Sequence, residues 1–396
     1  MKHFSPPKYV ISILERLESH GYAAYLVGGC VRDALMGRKG NDWDIATSAL
    51  PNEILSVFPT ARPTGIKHGT VTVISNSSSV ELTTFRKDGD YLDHRRPESV
   101  DFIPDLLGDL ERRDFTMNSI AISSCGSVID PFGGEEDIAH KLIRCVGDPD
   151  KRFHEDALRM LRALRFSAVL GFEIEEKTCL SIKKNAPLSA HIAPERVRVE
   201  LEKMLLSNSP HMISKLIEYG LLAGIISDWK GPVDLEGLLL IHESSRDLRY
   251  AALCALLLKQ GLISKAEDFL LSLRLELVTV RKVTAGCSLV LKSAPESAVE
   301  WKRLLSKSDV DCGKCAAAAA EVLYGPGHLN ELCKVISSGE CFSLKQLAVN
   351  GSDLLELGFH GPALGLALYT LLDHVIDFPV DNERSLLLDL ARKLLR

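Results

Sequence analysis

The chain has 396 residues, of which 46% are hydrophobic and 25% charged, and its formal net charge at pH 7 is −6. This length favours two to four domains over a single core. No run of about 18 apolar residues occurs, which argues against a membrane span, and the acidic charge argues against a protein that coats nucleic acid everywhere. Residues 141–203 nevertheless carry thirteen Lys and Arg against ten Asp and Glu, a mild indication of a polyanionic partner.

The N-terminus and the cysteines both bear on the cellular compartment. Residues 1–22 contain Pro-Pro and charges where a signal peptide would need an apolar core. The ten cysteines are scattered without the spacing of a disulfide framework, which in a long chain predicts reduced thiols and a cytoplasmic location. Cys312 and Cys315 form one CxxC, but no second close pair accompanies it, so a structural zinc site is not expected.

Hydrophobic periodicity divides the first 85 residues into helices and strands. Residues 7–21 have helical periodicity that ends at Gly21. The predicted elements that follow are a strand at 22–28, a helix at Val31–Met36, a strand at 43–46, a helix to about Phe58, a strand at Gly65–Ile74, a turn at Ser75–Ser79 and a return strand at Val80–Phe85. We expect the last two strands to form a hairpin.

Two motifs in this region point to a phosphate group and a metal ion. Gly28 and Gly29 let the backbone come close to a bound group, and the next helix would aim its free N–H groups at a phosphate. Asp42 and Asp44 stand two residues apart on an extended segment and point to the same side, with Trp43 facing the other way. Such a carboxylate pair is suited to a divalent ion, most simply Mg²⁺.

A third carboxylate follows on the return strand. Glu81 lies between Val80 and Leu82, which predicts that it faces the same side as Asp42 and Asp44. Three carboxylates from neighbouring strands meet the needs of a two-metal phosphoryl-transfer site. The alternative is a surface charge on an edge strand, and the pattern alone leaves both interpretations open.

The sequence changes character further along. Arg86–Pro97 is polar and charged, which predicts a surface loop, and residues 130–137 form a Gly/Pro-rich boundary. From about Asp148 to Arg396, Leu- and Ala-rich helical periods dominate, and Ala316–Ala320 is predicted to lie inside a helix. The pattern therefore predicts an α/β head followed by a long helical region.

Six motifs occur in order between about residues 22 and 172. They read LVGGCVRDALMG–NDWDIAT, TGIKHGTVTV, ELTTFRKDGDYLDHRRPESVDF, DLERRDFTMNSIAI, DPFGGEEDI and RFHEDALRMLRALRFSAVLGF, and a weaker PERVRVELEKML follows at Pro194–Leu205. This series resembles the bacterial-type (class II) tRNA nucleotidyltransferases, the CCA-adding enzymes, and their poly(A) polymerase relatives.

The resemblance implies an α+β fold with a polymerase β-like nucleotidyltransferase head, a small mixed β-sheet with helices, followed by an all-α neck, body and tail. The implied domains are a catalytic head at 1–147, a base-recognising neck at 148–207, a body at 208–290 and a tRNA-binding tail at 291–396. The implied cofactor is Mg²⁺, and the implied partners are CTP, ATP and the acceptor arm and elbow of tRNA. No membrane partner is expected.

The resemblance also implies roles for single residues. Asp42 and Asp44 match the metal-binding pair, and Glu81 matches the third catalytic carboxylate. The matched nucleotide-binding positions are Gly29 and Arg32 on the phosphate side, Arg113 at the triphosphate, Asp156 and Arg159 at the base, and Arg162 and Arg165 as further nucleotide or phosphate contacts.

The chemistry of Asp156 and Arg159 fits base reading. We expect both on one helix, where their i, i+3 spacing places them on one face, whereas Arg165 would lie on the opposite side from Asp156. A carboxylate accepts from an exocyclic amine, and an arginine donates to ring acceptors. CTP and ATP both present an amine beside an acceptor, so this pair would accept C and A and refuse U and G without a template.

Several activities remain open. The loop Arg86–Pro97 resembles one that CC-only enzymes lack, but CCA-adding and A-adding enzymes both retain it. Poly(A) polymerases usually carry an arginine-rich segment where this chain has Thr64–Thr70, which favours the tRNA branch. A non-catalytic RNA-binding relative would have lost the aspartate pair, and this chain keeps it.

Overall fold

The computed structural model describes residues 6–38, 42–75, 78–89, 99–226 and 231–395. It divides into two compact units, the first made of Met1–Lys203 and Lys215–Gly224, the second of Met204–Ser214 and Ile225–Arg396. None of the helices in the described ranges has the length and apolar composition that a bilayer crossing needs.

Unit 1 contains the strands and the first group of helices. The strands are β1 (Ala24–Val27), β2 (Trp43–Thr47), β3 (Arg62–Gly65), β4 (Thr70–Ser75), β5 (Ser78–Thr84), β6 (Arg86–Asp88), β7 (Val100–Phe102), β8 (Ala121–Ser123), β9 (Val128–Ile129), β10 (Leu142–Ile143) and β11 (Glu173–Ile174). The helices are α1 (Lys8–Ser19), α2 (Gly29–Leu35), α3 (Pro51–Val57), α4 (Leu106–Glu111), α5 (Gly134–Ala139), α6 (Pro149–Glu155), α7 (Leu158–Leu170), α8 (Glu176–Asn185), α9 (Pro194–Leu205) and α10 (Ile213–Glu218). The division between the units falls within α9 and within α10.

A mixed sheet with the order β3-β4-β5-β2-β1-β8-β9 forms the centre of the head. β2 runs parallel to β5, while β1–β2 and β4–β5 are antiparallel. One face of the sheet carries a core of alternating apolar residues against α1 and α3, including Leu14, Leu26, Ile45, Ile54 and Leu82. Because side chains alternate along a strand, the residues between these apolar positions face the other side.

The predicted hairpin is confirmed, with one correction. β4 and β5 pair from Thr70–Thr83 to Ser75–Ser78. The predicted strand at Gly65–Ile74 is wrong in its first half, because residues 66–68 form a 3-10 turn that Gly69 ends at φ +80°. A positive φ is open mainly to glycine, so the chain turns there before β4 begins.

The segment after β5 was predicted to be a loop from Arg86 to Pro97. Its first residues instead form β6, which pairs with β7 from Arg86–Phe102 to Asp88–Val100. Residues 90–97 of that prediction lie outside the described residues. Beyond Asp148, the described chain contains one two-residue strand, β11, and is otherwise helical or irregular, as the periodicity predicted.

Unit 2 is helical in its described residues. Its helices are α11 (Arg246–Lys259), α12 (Ala266–Ser272), α13 (Leu277–Val290), α14 (Ala298–Ser306), α15 (Val310–Tyr324), α16 (His328–Ser337), α17 (Gly351–Glu356), α18 (Pro362–Asp377) and α19 (Arg384–Leu394). The tract Ala316–Ala320 lies in α15, as predicted, and is fully buried. Small residues allow α13 and α15 to approach closely: a Cβ added at Gly286 would lie 2.5 Å from the Cβ of Cys315.

Candidate active site

A cavity of about 660 Å³ in unit 1 is lined by most of the predicted site residues. Its volume is within the usual range for small-molecule sites. Eight arginines but only four aspartates line it, so its charge favours an anion. Its predicted members are Gly29, Arg32, Asp44, Arg113, Asp156, Arg159, Arg162 and Arg165.

Of the three predicted carboxylates, Asp44 and Glu81 lie on the neighbouring strands β2 and β5, and only Asp44 lines the cavity. Asp44 lies opposite Glu81 in the parallel register and opposite Val27 on β1. Asp42 immediately precedes β2, and both Asp42 and Glu81 are exposed. Burial, with the negative charges of Glu81 and Asp42, raises the pKa of Asp44 to about 6, although Arg113 opposes the shift. The carboxylates therefore repel one another in the absence of a cation.

This donor set fits a divalent ion that shares its ligands with a substrate. No three His, Cys, Asp or Glu side chains within the described ranges converge tightly enough to hold a metal on their own. Mg²⁺ is commonly held by one or two carboxylates together with substrate phosphates and water. The repelling carboxylates beside an arginine-rich cavity are consistent with that mode of binding.

The predicted glycine turn lies against Asp44 and Arg113. Gly28 has φ +76° and ψ −138° and precedes α2, which begins at Gly29 rather than at the predicted Val31. A Cβ at Gly28 would lie 3.3 Å from Nη1 of Arg113 and 3.5 Å from Oδ2 of Asp44. Glycine is therefore needed here both for backbone conformation and for space.

Arg113 offers an unused donor. Its Nη2 donates to Oδ2 of Asp109 at 2.9 Å, while its Nε is buried with no hydrogen-bond partner in the described structure. A buried donor without a partner is costly, so an incoming anion would satisfy it. Asp109 is fully buried, and although burial acts to raise its pKa, Arg113 and Arg112 hold the pKa below its usual range.

Asp156 does not lie on the helix that carries Arg159, so the expectation of a shared helical face is wrong. α6 ends at Glu155, and Asp156 has an extended backbone with φ −142° and ψ 104°. Its carboxylate accepts from the Leu158 N–H at 3.1 Å near the start of α7. A short polar side chain that bonds to the backbone two residues ahead favours this kind of break. Asp156 and Arg159 nevertheless line the same cavity.

Arg159 is held by three acceptors. Its Nη1 donates to Oε2 of Glu155 at 2.7 Å and to the Arg152 carbonyl at 3.2 Å, and its Nη2 donates to the Arg112 carbonyl at 2.8 Å. The side chain is buried. These contacts come from α6 and from the residue that ends α4, so the guanidinium is fixed in orientation before any ligand binds.

Arg162 and Arg32 are joined by a buried polar network that the sequence prediction missed. Arg162 donates through Nε to Oδ2 of Asp114 at 2.7 Å, Asn118 donates to Oδ1 of Asp114 at 3.0 Å, and Arg32 donates to Asn118 at 2.8 Å. Burial acts to raise the pKa of Asp114, but Arg162 and Asn118 outweigh it and hold the pKa well below its usual range. Asp114 and Asn118 belong to the RRDFTMN segment, so their place beside Arg113 was the available signal.

Arg165 of α7 also lines the cavity. Because Asp156 precedes α7, the helical angle expected between these two residues does not apply. Arg165 donates to Glu200 of α9 at 2.8 Å, and its guanidinium lies 3.5 Å from the ring centre of Phe166. Glu200 is buried, so its charge is matched by this partner.

Comparisons with known proteins give matches to two parts of this chain and to nearly its whole length. Residues 24–144 match a family described as the Poly A polymerase head domain, and residues 171–230 match one described as a probable RNA and SrmB-binding site of polymerase A. A CCA-adding enzyme of Geobacillus sp. (strain WCH70) is 39% identical over 389 residues, covering 96% of this chain and 95% of that protein.

Solved structures show the same relation. The crystal structure of the Bacillus stearothermophilus CCA-adding enzyme in complex with CTP matches with a TM-score of 0.83 and 34% identity over 99% of this chain and 98% of that one. The Thermotoga maritima CCA-adding enzyme complexed with tRNA matches in fold, with a TM-score of 0.72 at 22% identity over 99% and 97% of the two chains. The chain belongs to the family of CCA-adding enzymes, the tRNA nucleotidyltransferases, with a polymerase head of mixed β-sheet followed by helices.

Proposed function

We propose that this protein adds CCA to tRNA 3′ ends from CTP and ATP without a nucleic-acid template, releasing pyrophosphate. One observation carries the proposal: strand-borne Asp44, triphosphate-side Arg113 and the pair Asp156 and Arg159 all face one arginine-rich cavity. A single nucleoside triphosphate can therefore meet charge compensation at its phosphates and hydrogen-bonding groups at its base. Relatives with solved structures in complex with CTP and with ATP support the two substrates.

The phosphate end of the nucleotide would lie against Gly28, Gly29 and the guanidinium of Arg113, which all line the cavity. Arg32 and Arg162 add positive charge and are held in place through Asn118 and Asp114. Positioning and charge compensation account for most of the catalysis in phosphoryl transfer. The arginines are preorganised for this task because each is already bonded to a buried acidic or amide group.

Nucleotidyltransferases of this family generally use divalent metal ions, and we propose Mg²⁺ held by Asp42 and Asp44, with Glu81 as the third carboxylate. When bound, the metal would activate the tRNA 3′-hydroxyl for attack on the α-phosphate and would compensate the charge of the leaving pyrophosphate. The raised pKa of Asp44 fits this assignment, since a nearby cation would relieve the repulsion from Glu81 and Asp42.

Base selection is assigned to Asp156 and Arg159. An ionised Asp156 accepts from the amine of cytosine or adenine, and Arg159 donates to the adjacent ring acceptor. Uracil and guanine place a carbonyl where the amine should be, so it would face the Asp156 carboxylate without a hydrogen bond. Because Arg159 is anchored by three acceptors, we expect little adjustment toward the wrong base.

An A-adding enzyme that completes CC-ended tRNA is the second candidate, since it would use the same site. A direct test supplies purified protein with tRNAs that lack CCA, end in C or end in CC, and with CTP or ATP separately. We expect CTP to be added to the two shorter tRNAs and ATP to the CC-ended one. Use of ATP alone on the CC-ended tRNA would overturn CCA addition in favour of the second candidate.

The catalytic assignment has its own test. Asp44→Asn should abolish nucleotide addition while tRNA binding stays within a few-fold, because the carboxylate acts on the reaction and not on the RNA. Asp105→Asn is the matched control: Asp105 caps α4 by accepting from the Gly108 N–H at 3.0 Å and lies outside the cavity. Substantial addition by the Asp44 variant would refute the metal assignment.

The remaining assignments complete the proposal. We infer that the neck at 148–207 reads the base, and that the body at 208–290 and the tail at 291–396 hold the acceptor arm and elbow of tRNA. The match of residues 171–230 to a probable RNA-binding family supports contact with RNA in that region. A cytoplasmic location is supported by the ten cysteines, all of which are free thiols.

A further inference from the structure

Asp156 has an additional partner in the cavity, Arg196 on helix α9. Arg196 of α9 donates from Nη2 to Oδ2 of Asp156 at 2.8 Å and from Nη1 to Oδ1 at 3.2 Å. The two parallel bonds form a bidentate pair, which fixes the plane of a carboxylate as well as its position. Both side chains line the cavity and keep some solvent exposure, 27% for Arg196 and 19% for Asp156.

Counting acceptor sites shows what this pair leaves open. An ionised carboxylate offers about four lone-pair positions. The Leu158 N–H takes one at Oδ1, and the two Arg196 N–H groups take one at each oxygen. About one position therefore remains on Asp156, which matches the single amine hydrogen that a base edge directs at a neighbouring acceptor.

The direction of that remaining position decides which base is accepted. Cytosine and adenine bring a donor to it, whereas uracil and guanine bring an acceptor. A carboxylate free to rotate could turn away from the wrong base and leave its carbonyl to a water molecule or to Arg159. A carboxylate held from two sides cannot rotate away. The carbonyl of the wrong base then faces a carboxylate oxygen, two acceptors oppose each other, and the base is rejected.

Arg196 is itself held on a fixed support. On the same helix, Val197 and Leu201 are buried. One turn beyond Arg196, the buried Glu200 accepts from Arg165. α9 thus contacts the residues before and within α7 at two points one turn apart, and Arg196 projects from the anchored helix rather than from a loop.

We propose that Arg196 is a specificity-determining positioning residue, which holds the Asp156 carboxylate so that it accepts only an amine-bearing base edge. This inference rests on the proposed base-reading role of Asp156. Arg196 acts through Asp156 and not on the nucleotide directly, so its contribution must disappear when Asp156 no longer presents a carboxylate.

The test is a double-mutant cycle scored by base discrimination. The variants are Arg196→Met, Arg196→Lys, Asp156→Asn and the double variant Arg196→Met with Asp156→Asn, and the control is Glu195→Gln on the exposed neighbouring position. For each we measure kcat/KM for CTP and for UTP on tRNA lacking CCA, and for ATP and GTP on CC-ended tRNA. The thermal unfolding midpoint of each variant is recorded alongside.

We expect Arg196→Met to lower the CTP-to-UTP ratio of kcat/KM about tenfold, the order expected from losing one charge-assisted hydrogen bond. Arg196→Lys should fall between Met and wild type, because an ammonium keeps the charge but not the bidentate geometry. Glu195→Gln should match wild type. In the Asp156→Asn background, Arg196→Met should leave the ratio unchanged.

Distinct results overturn distinct statements. If Arg196→Met lowers kcat/KM for CTP and UTP equally, Arg196 contacts the nucleotide or supports the fold, and the inference fails while base reading by Asp156 stands. If Asp156→Asn also leaves the ratio unchanged, the proposed base reading fails. Should Arg196→Met not fold, Arg196→Lys decides, because a wild-type ratio in that variant refutes the inference.

Discussion

Alanine substitutions at Gly28 and at Gly361 can be compared to separate the effect of backbone strain from the effect of steric contact with the active site. Gly28 precedes α2 with φ +76° and ψ −138°, a region that is nearly restricted to glycine. Gly361 precedes α18 with φ 56° and the same ψ of −138°. A Cβ at Gly361 meets nothing within 4 Å, whereas at Gly28 it lies 3.3 Å from Nη1 of Arg113 and 3.5 Å from Oδ2 of Asp44.

Both alanine variants should lose about 1–3 kcal/mol of folding free energy through backbone strain alone. Only Gly28→Ala should also displace Arg113 by a few tenths of an ångström. We expect about a three- to tenfold loss of kcat for CTP addition, since a 1 Å misplacement costs about a hundredfold. Urea unfolding measures the first effect, and initial rates with saturating tRNA measure the second.

The comparison between the two variants decides the reasoning. Gly361→Ala should keep wild-type kcat at a temperature where both variants are folded. If Gly28→Ala is equally active, the close approach of its Cβ to Arg113 and Asp44 has no catalytic consequence. If both variants lose activity equally, strain and not the cavity geometry explains the loss.

Two further predictions concern stability. Gly286→Ala should destabilise the protein by about 1–3 kcal/mol through overpacking, because its Cβ would lie 2.5 Å from the Cβ of Cys315. Gly365→Ala in α18, where an added Cβ meets nothing within 4 Å, should instead stabilise the protein by about 0.5–1 kcal/mol. Urea unfolding midpoints that fail to move in opposite directions would contradict this account of α13–α15 packing. Lys184 and Ser181 lower the pKa of Asp150 to about 2, below the value of about 3.9 for an unfolded Asp. The contribution of Asp150 to folding stability is therefore complete above about pH 4 and is lost as the pH falls toward 2. Wild type should lose more stability than Asp150→Asn over that interval, and parallel pH profiles would refute the role of this contact between α6 and α8.

The carboxylate pair and the sheet around it were predictable because the strand period is two. Trp43 and Ile45 on β2 and Val80 and Leu82 on β5 are apolar and buried, so the residues between them had to face the other side. The prediction needed only local alternation. It could not state that β2 and β5 run parallel, because strand order depends on contacts distant in sequence.

The helix break at Asp156 could not be predicted from periodicity in the same way. The motif around Asp156 has helical periodicity on both sides, and a single side chain that bonds to the Leu158 N–H interrupts the helix. Such a competition between side chain and helix leaves little trace in a hydrophobic pattern. Partners such as Asp114, Asn118 and Arg196 were also missed, because a polar contact is defined by two positions distant in sequence and neither one identifies its partner.

The pairing of β2 with β5 has a consequence for folding as well as for chemistry. Sliding either strand by one residue would turn Asp44 or Glu81 into the apolar core and expose Trp43, Ile45, Val80 or Leu82. A slipped head would therefore be too unstable to persist, and a population that is folded but misaligned at its carboxylates should not accumulate. Chaperones and proteases remove unstable molecules. Because the same packing of apolar residues both stabilises the head and aligns Asp44 with Glu81, the molecules that escape degradation are also those with aligned carboxylates.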